Sequence, residues 1–174
     1  MRLVPLLVAA SALTVWADPA PKSLGKIVVM GRQDSLLGVA DSATIGVTGA
    51  VQLGERPLLR PGEILETVPG LIITQHAGGG KANQYFMRGF NLDHGTDFAT
   101  FLDGVPLNMP SHGHGQGYAD MNFVIPELVE RVNYQKGPYY AQTGDFGTAG
   151  AAYLETFKTL PKGCLLYTSD AADE

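Results

Sequence analysis

The chain has 174 residues, a net charge of −5, a single cysteine and 22 glycines. That acidic balance carries no footprint for nucleic acid, and a lone cysteine excludes a disulfide framework and a Cys-based metal cluster. The glycine content exceeds the ~7% average and implies many tight turns and irregular loops.

Both ends read as something other than folded domain. Arg2 precedes an apolar run, Leu3–Trp16, and Val15-Trp16-Ala17 makes a small-x-small site before Asp18-Pro19. This is the pattern of a signal peptide over residues 1–17, cleaved after Ala17. As a membrane anchor the run falls short of the ~20 residues a spanning helix needs. At the other end Cys164–Glu174, CLLYTSDAADE, is similar to a translated sequencing adaptor and continues no pattern. It is expected to take no part in the fold, which implies a gene truncated there and an authentic chain without cysteine. Asp18–Gly163 then keeps 11 of the 12 basic and 14 of the 17 acidic residues, a net charge of −3. That length suits one domain by the ~100–200 residue norm.

Residues 18–54 read as a linker and 55–163 as the globular domain. Within the linker, Lys26–Met30 (KIVVM) is a short β-prone run. It is either an edge strand of the domain or an exposed strand that a partner adds to its own sheet. A weak strand signal surrounds Ala43–Val47. Arg60–Val68 is expected to be helical. Pro61 suits its first turn, Glu63 complements the dipole, and Ile64, Leu65 and Val68 share a face. Pro69-Gly70 stops it, and Leu71–Thr74 follows as a strand.

His76–Gln84 is a loop, and Arg88-Gly89-Phe90 closes the strand that begins at Tyr85. An arginine buried there would need a carboxylate partner. Phe98, Thr100 and Leu102 alternate before Asp103-Gly104, and Val105 and Leu107 alternate after it. An Asp-Gly pair between alternating runs predicts a β-hairpin with a primed turn. The open ends of a hairpin lie together. The loops Asn91–Asp97 and Met109–Asp120 are therefore expected at one end of the fold.

Met121–Pro126 returns to the core, Pro126–Val129 makes one helical turn, and Arg131–Gln135 and Thr148–Thr156 are the last strands. The expected fold class is α+β. It has a mixed, mainly antiparallel sheet of about four strands, short helices and long Gly-rich loops. Long crossover helices, which a doubly wound sheet needs, are missing.

Several strings together resemble one family, the N-terminal plug domain of TonB-dependent outer-membrane receptors. They are PGEILETVPGLIIT (Pro61–Thr74), MRGF (Met87–Phe90), FLDGVPLN (Phe101–Asn108), IPELVERVNYQKGP (Ile125–Pro138) and GDFGTAGAAYLET (Gly144–Thr156). The resemblance implies a gate inside a 22-stranded barrel, for active uptake of a scarce nutrient such as an iron–siderophore or other metal chelate. It implies a non-enzymatic role, no cofactor, and two protein partners, TonB and the barrel of the same receptor. It places the full receptor in the outer membrane, whereas the fragment alone would be periplasmic.

It further implies that Lys26, Ile27, Val28, Val29, Met30 and Gly31 form the box that pairs with TonB, although the usual Thr-Ala ending is absent. Arg88 and Arg131 match plug arginines that pair with glutamates of the barrel wall. The residue-level alternative is a pair within the domain, with Glu130 or Glu127.

All four histidines, His76, His94, His112 and His114, fall in loops on the presumed substrate side. One reading is recognition of a metal ion or chelate, helped by Asp93 or Asp97. The other is that polar loops simply contain histidine and use glycine to turn. Gln116 and Tyr118 can equally offer an amide and a ring face to an organic ligand. A secreted metallohydrolase built on the histidines is disfavoured, because no HExxH-type anchor exists. A free-standing secreted periplasmic binding domain is the remaining alternative.

Overall fold

A computed structural model describes residues 36–159 except Gly78. The signal peptide, the KIVVM run and Cys164–Glu174 lie outside the described residues. Nine strands are described, β1 Gly38–Ala40, β2 Ile45–Gly49, β3 Leu71–Thr74, β4 Gln84–Met87, β5 Phe90–Leu92, β6 Phe98–Leu102, β7 Val105–Pro106, β8 Val129–Lys136 and β9 Gly150–Thr156. They form a six-stranded sheet in the order β1-β2-β8-β9-β6-β7 and a three-stranded sheet in the order β3-β4-β5. Every pairing is antiparallel except β6 with β9. The fold class is thus the expected α+β with a mixed, mainly antiparallel sheet. The four long strands β2, β8, β9 and β6 are its centre, and the short β1 and β7 extend its edges.

The expected helix appears as a 3-10 helix, Pro61–Thr67. Glu63 closes its start, its Oε2 accepting the backbone N–H groups of Leu59 (2.9 Å) and Arg60 (3.2 Å). Ile64, Leu65 and Val68 are wholly buried, each contributing about 1.5–3 kcal/mol. A short helix α1, Ala50–Gly54, which weak patterning had hidden, adds Leu53 to the same core. Tyr85, Met87 and Leu92 of the small sheet meet Phe98, Val132, Tyr134 and Leu154 of the large one. The core therefore lies between the sheets, with the 3-10 helix packed into it.

The Asp103-Gly104 hairpin forms as expected, with φ of 47° and 83° and Leu102 opposite Val105. A second tight hairpin joins β4 to β5. Arg88, expected inside a strand, occupies its turn instead, with Gly89, at φ of 49° and 83°, and is exposed. The chain reverses there without the usual Asn or Asp.

The first hairpin is also tied to the end of β9. The Asp103 carboxylate accepts the Thr156 hydroxyl at 2.7 Å and its N–H at 2.9 Å. Those bonds hold the Asp103 carboxyl below its ordinary range. The stabilisation is present above the unfolded carboxylate range and is lost as pH falls through the depressed folded value. Asp103→Asn keeps a turn-competent residue. The melting-temperature gap between parent and this variant is expected to be positive at neutral pH and to close on acidification. A gap that stayed constant with pH would show the carboxylate contributes nothing.

Candidate functional site

The two loops flanking the first hairpin converge as the topology demands. Met109 N–H donates to Tyr118 O and Gly117 N–H to Met109 O, both at 2.8 Å, closing the loop after the hairpin on itself. Ala119 N–H donates to His94 O at 2.9 Å, and Thr96 Oγ1 donates to Gln116 O at 2.9 Å. Gly117 sits at φ 82°, where an added Cβ would strike Thr96 Oγ1 and the Phe146 ring, so only glycine permits this close approach.

Asn108, buried at the root of both loops, joins them to the sheet. Its Oδ1 accepts Thr100 N–H at 2.8 Å, and its Nδ2 faces the carbonyls of Gly117 (2.9 Å), Gly95 (3.2 Å) and Phe98 (3.3 Å). Sequence reading missed this residue. Its one signal is a polar side chain directly after a strand.

On this frame the histidines gather. His76 stacks on His94 with ring centroids 4.2 Å apart and planes 14° from parallel. His94 lies 5.5 Å from Tyr118 at 26°, and Tyr118 stacks on His112 at 3.8 Å and 19°. His114 leans in at 5.0 Å from His94. All four histidines thus belong to one ring cluster, drawn from three separate segments.

Tyr118 is its plank. The ring is buried, its faces carry imidazoles, and its hydroxyl accepts Ala82 N–H at 2.8 Å. Gln116 is exposed on the same loop.

Asp93 completes the cluster. Its Oδ1 lies 3.2 Å from His76 Nε2 and 3.0 Å from His94 Nδ1. These are ion-pair distances for a protonated imidazole, yet neither buried nitrogen makes a hydrogen bond. Neighbouring side chains ordinarily diverge. Here the 3-10 turn Asp93–Gly95 places His94 in the left-handed region (φ 53°, ψ 29°), a conformation costing a non-glycine residue about 1–3 kcal/mol. Asp97 stands apart, its Oδ1 accepting the Thr148 hydroxyl at 3.0 Å. Beneath the site Tyr85 is fully buried. Burial, and then the charge of Asp120, push its phenol well above the ordinary range.

The two arginines lie elsewhere. Arg131 on β8 is half-buried, with Nη2 3.2 Å from Glu130 Oε2 and Nε 3.6 Å from Glu155 Oε2. Arg88 is exposed, and no carboxylate ion pair to it occurs among the described residues. Lys136 is buried near it, donating to Pro69 O at 3.3 Å. Burial first, and then the Arg88 charge, lower the Lys136 amine.

The sequence pattern of the TonB-dependent Receptor Plug Domain family matches residues 39–151. The chain belongs to this plug family. Solved structures carry the same fold. The ferric enterobactin receptor PfeA of Pseudomonas aeruginosa is 22% identical over 68% of the plug chain, with a TM-score of 0.53. The siderophore receptor PirA of Acinetobacter baumannii is 20% identical over 69%, with a TM-score of 0.50. The copper transporter OprC is 22% identical over 71%, also at 0.50. At such identities the likeness is one of fold. The plug chain spans 18% of the length of each of these proteins.

Proposed function

We propose that this plug is the gate of a TonB-dependent transporter in the outer membrane, for non-enzymatic, active uptake of a metal ion or metal chelate. The observation that carries the reading is the ring cluster. Four imidazoles, one carboxylate and a tyrosine plank meet at one end of a domain whose family gates receptors. Substrate held there would touch the loops that Asn108 ties to the large sheet, so occupancy can reach the core. Release of Lys26–Gly31 for pairing with TonB would follow by β-augmentation, in which main-chain bonds supply the affinity. Arg88, exposed in its turn, is a free donor fork for a glutamate of a surrounding barrel wall. Arg131 would serve the same contact less readily, because Glu130 accepts from its Nη2 and Glu155 lies 3.6 Å from its Nε.

The test is Val28→Pro in the intact receptor, which removes an N–H from the docking strand and fixes φ. Cells receive radioisotopes of iron, copper, nickel, cobalt or zinc, each free and as a chelate. Accumulation of the accepted form is expected to fall to the level of cells lacking TonB, with surface binding retained. Undiminished accumulation would remove Lys26–Gly31 from the mechanism.

A further inference from the structure

We infer that His76 Nε2, Asp93 Oδ1 and His94 Nδ1 are three ligands of a binding site for a labile divalent first-row transition ion. Its place in uptake rests on the transporter reading. The site itself rests on the cluster.

The spacing is that of ligands around one small ion. Zinc-type bonds of about 2.0–2.1 Å in a tetrahedron set neighbouring ligand atoms about 3.3 Å apart. The two His-to-Asp edges measure 3.2 and 3.0 Å, and one ligand atom from each of the three residues lies within 4.8 Å of the others. Both ring nitrogens are shut off from solvent without a hydrogen bond. A buried polar atom left so costs about 1–3 kcal/mol. A cation that all three atoms approach removes that cost and neutralises the carboxylate.

The donors do not drift into place by chance. The Ala119 N–H bond to the His94 carbonyl holds the His94 backbone, and the rings of Tyr118 and His76 stack against its imidazole. His94 sits in the left-handed region, and its Nδ1 lies 3.0 Å from its own neighbour's carboxylate.

The donor chemistry selects the ligand class. Two imidazoles and one carboxylate suit Zn, Ni, Co or Cu(II), while Ca and Mg call for oxygen throughout. An iron already enclosed by the oxygens of a hexadentate siderophore has no position open for these donors. The preferred cargo is therefore an ion with exchangeable ligands, bare or partly complexed. His112 and His114 lie close by on the glycine loop, outside the group of three. His112 Nδ1 accepts His114 N–H at 3.1 Å and the His112 ring stacks on Tyr118, while the exposed His114 ring lies beside His94. Three protein donors leave positions open on the ion, so it is held yet can be handed on.

The experiment is titration of the 174-residue chain, and of the intact receptor, with Co2+ followed by its visible absorption, then with Ni2+ and Zn2+ by calorimetry. One equivalent is expected to bind saturably. Asp93→Asn, at an exposed side chain where folding is indifferent to the change, is expected to weaken binding at least tenfold. His94→Gln is expected to weaken it further, and His112→Gln less than tenfold. Near-ultraviolet circular dichroism of the tyrosines reports that each variant is folded. Absence of saturable binding by both parent proteins would overturn the inference, as would Asp93→Asn binding like the parent. Ion binding without TonB-dependent accumulation would support the site and sink the transporter reading. Accumulation of a ferric chelate by a receptor that binds no divalent ion would do the reverse.

Discussion

Phe98→Ala is expected to lower the unfolding free energy by about 3–5 kcal/mol, the usual cost of deleting a buried ring together with the cavity left behind. Phe98 opens β6 and is wholly buried. Its ring meets Tyr85 of the small sheet edge-on, with centroids 6.3 Å apart and planes at 82°, so one contact joins the two sheets. Edge-to-face pairs add about 0.5–1.5 kcal/mol beyond area burial. Small domains hold only about 5–15 kcal/mol in total, so the variant should unfold at a much lower urea midpoint with an unchanged slope. A midpoint shift worth less than about 1 kcal/mol would mean that the neighbours close over the gap and that Phe98 is not the joint between the sheets.

The parts of this fold that could be read in advance were those fixed by local chemistry. Asp103-Gly104 announces its turn because both positions need positive φ and both residues tolerate it. Arg88-Gly89 adopts nearly the same angles, but arginine is no turn signal, so Phe90 read as the end of the preceding strand and Asn91 and Leu92 as loop. The parallel pairing of β6 with β9 had no local sign at all. It depends on Phe98 meeting Gly150 across a separation only the folded chain provides.

The site divides along the same line. That the loops bearing His94, His112 and His114 share one end follows from hairpin topology, and the cluster bears the geometry out. The approach of Nδ1 to Asp93 does not follow from it, because the left-handed backbone at His94 has no sign in the sequence. Nor does the burial of Tyr118, whose hydroxyl is engaged by Ala82 from a different loop.

Asn108→Ala is expected to cost about 3 kcal/mol, because it strands several buried groups, each worth about 1–3 kcal/mol when left unpaired. Thr100 N–H, on a wholly buried residue, loses its acceptor, and the Gly95 and Gly117 carbonyls lose their donor. Asn108→Asp is the sharper test. It keeps an acceptor for Thr100 N–H but sets a carboxylate oxygen against three carbonyl oxygens in place of the amide donor. It should therefore destabilise at least as much as alanine, although it differs from the parent by little in shape. Urea unfolding measures both. The same residue governs the site, since Gly95 follows His94 and Gly117 precedes Tyr118. With the loops released from the sheet, Co2+ affinity should fall under conditions where the variants are still folded. A variant that lost stability but bound Co2+ like the parent would show that the Ala119-to-His94 bond and the Tyr118 plank hold the ligands unaided. In that case occupancy of the site would have no route through Asn108 to Thr100 and the large sheet, and the proposed path from substrate to gate would have to start at another contact.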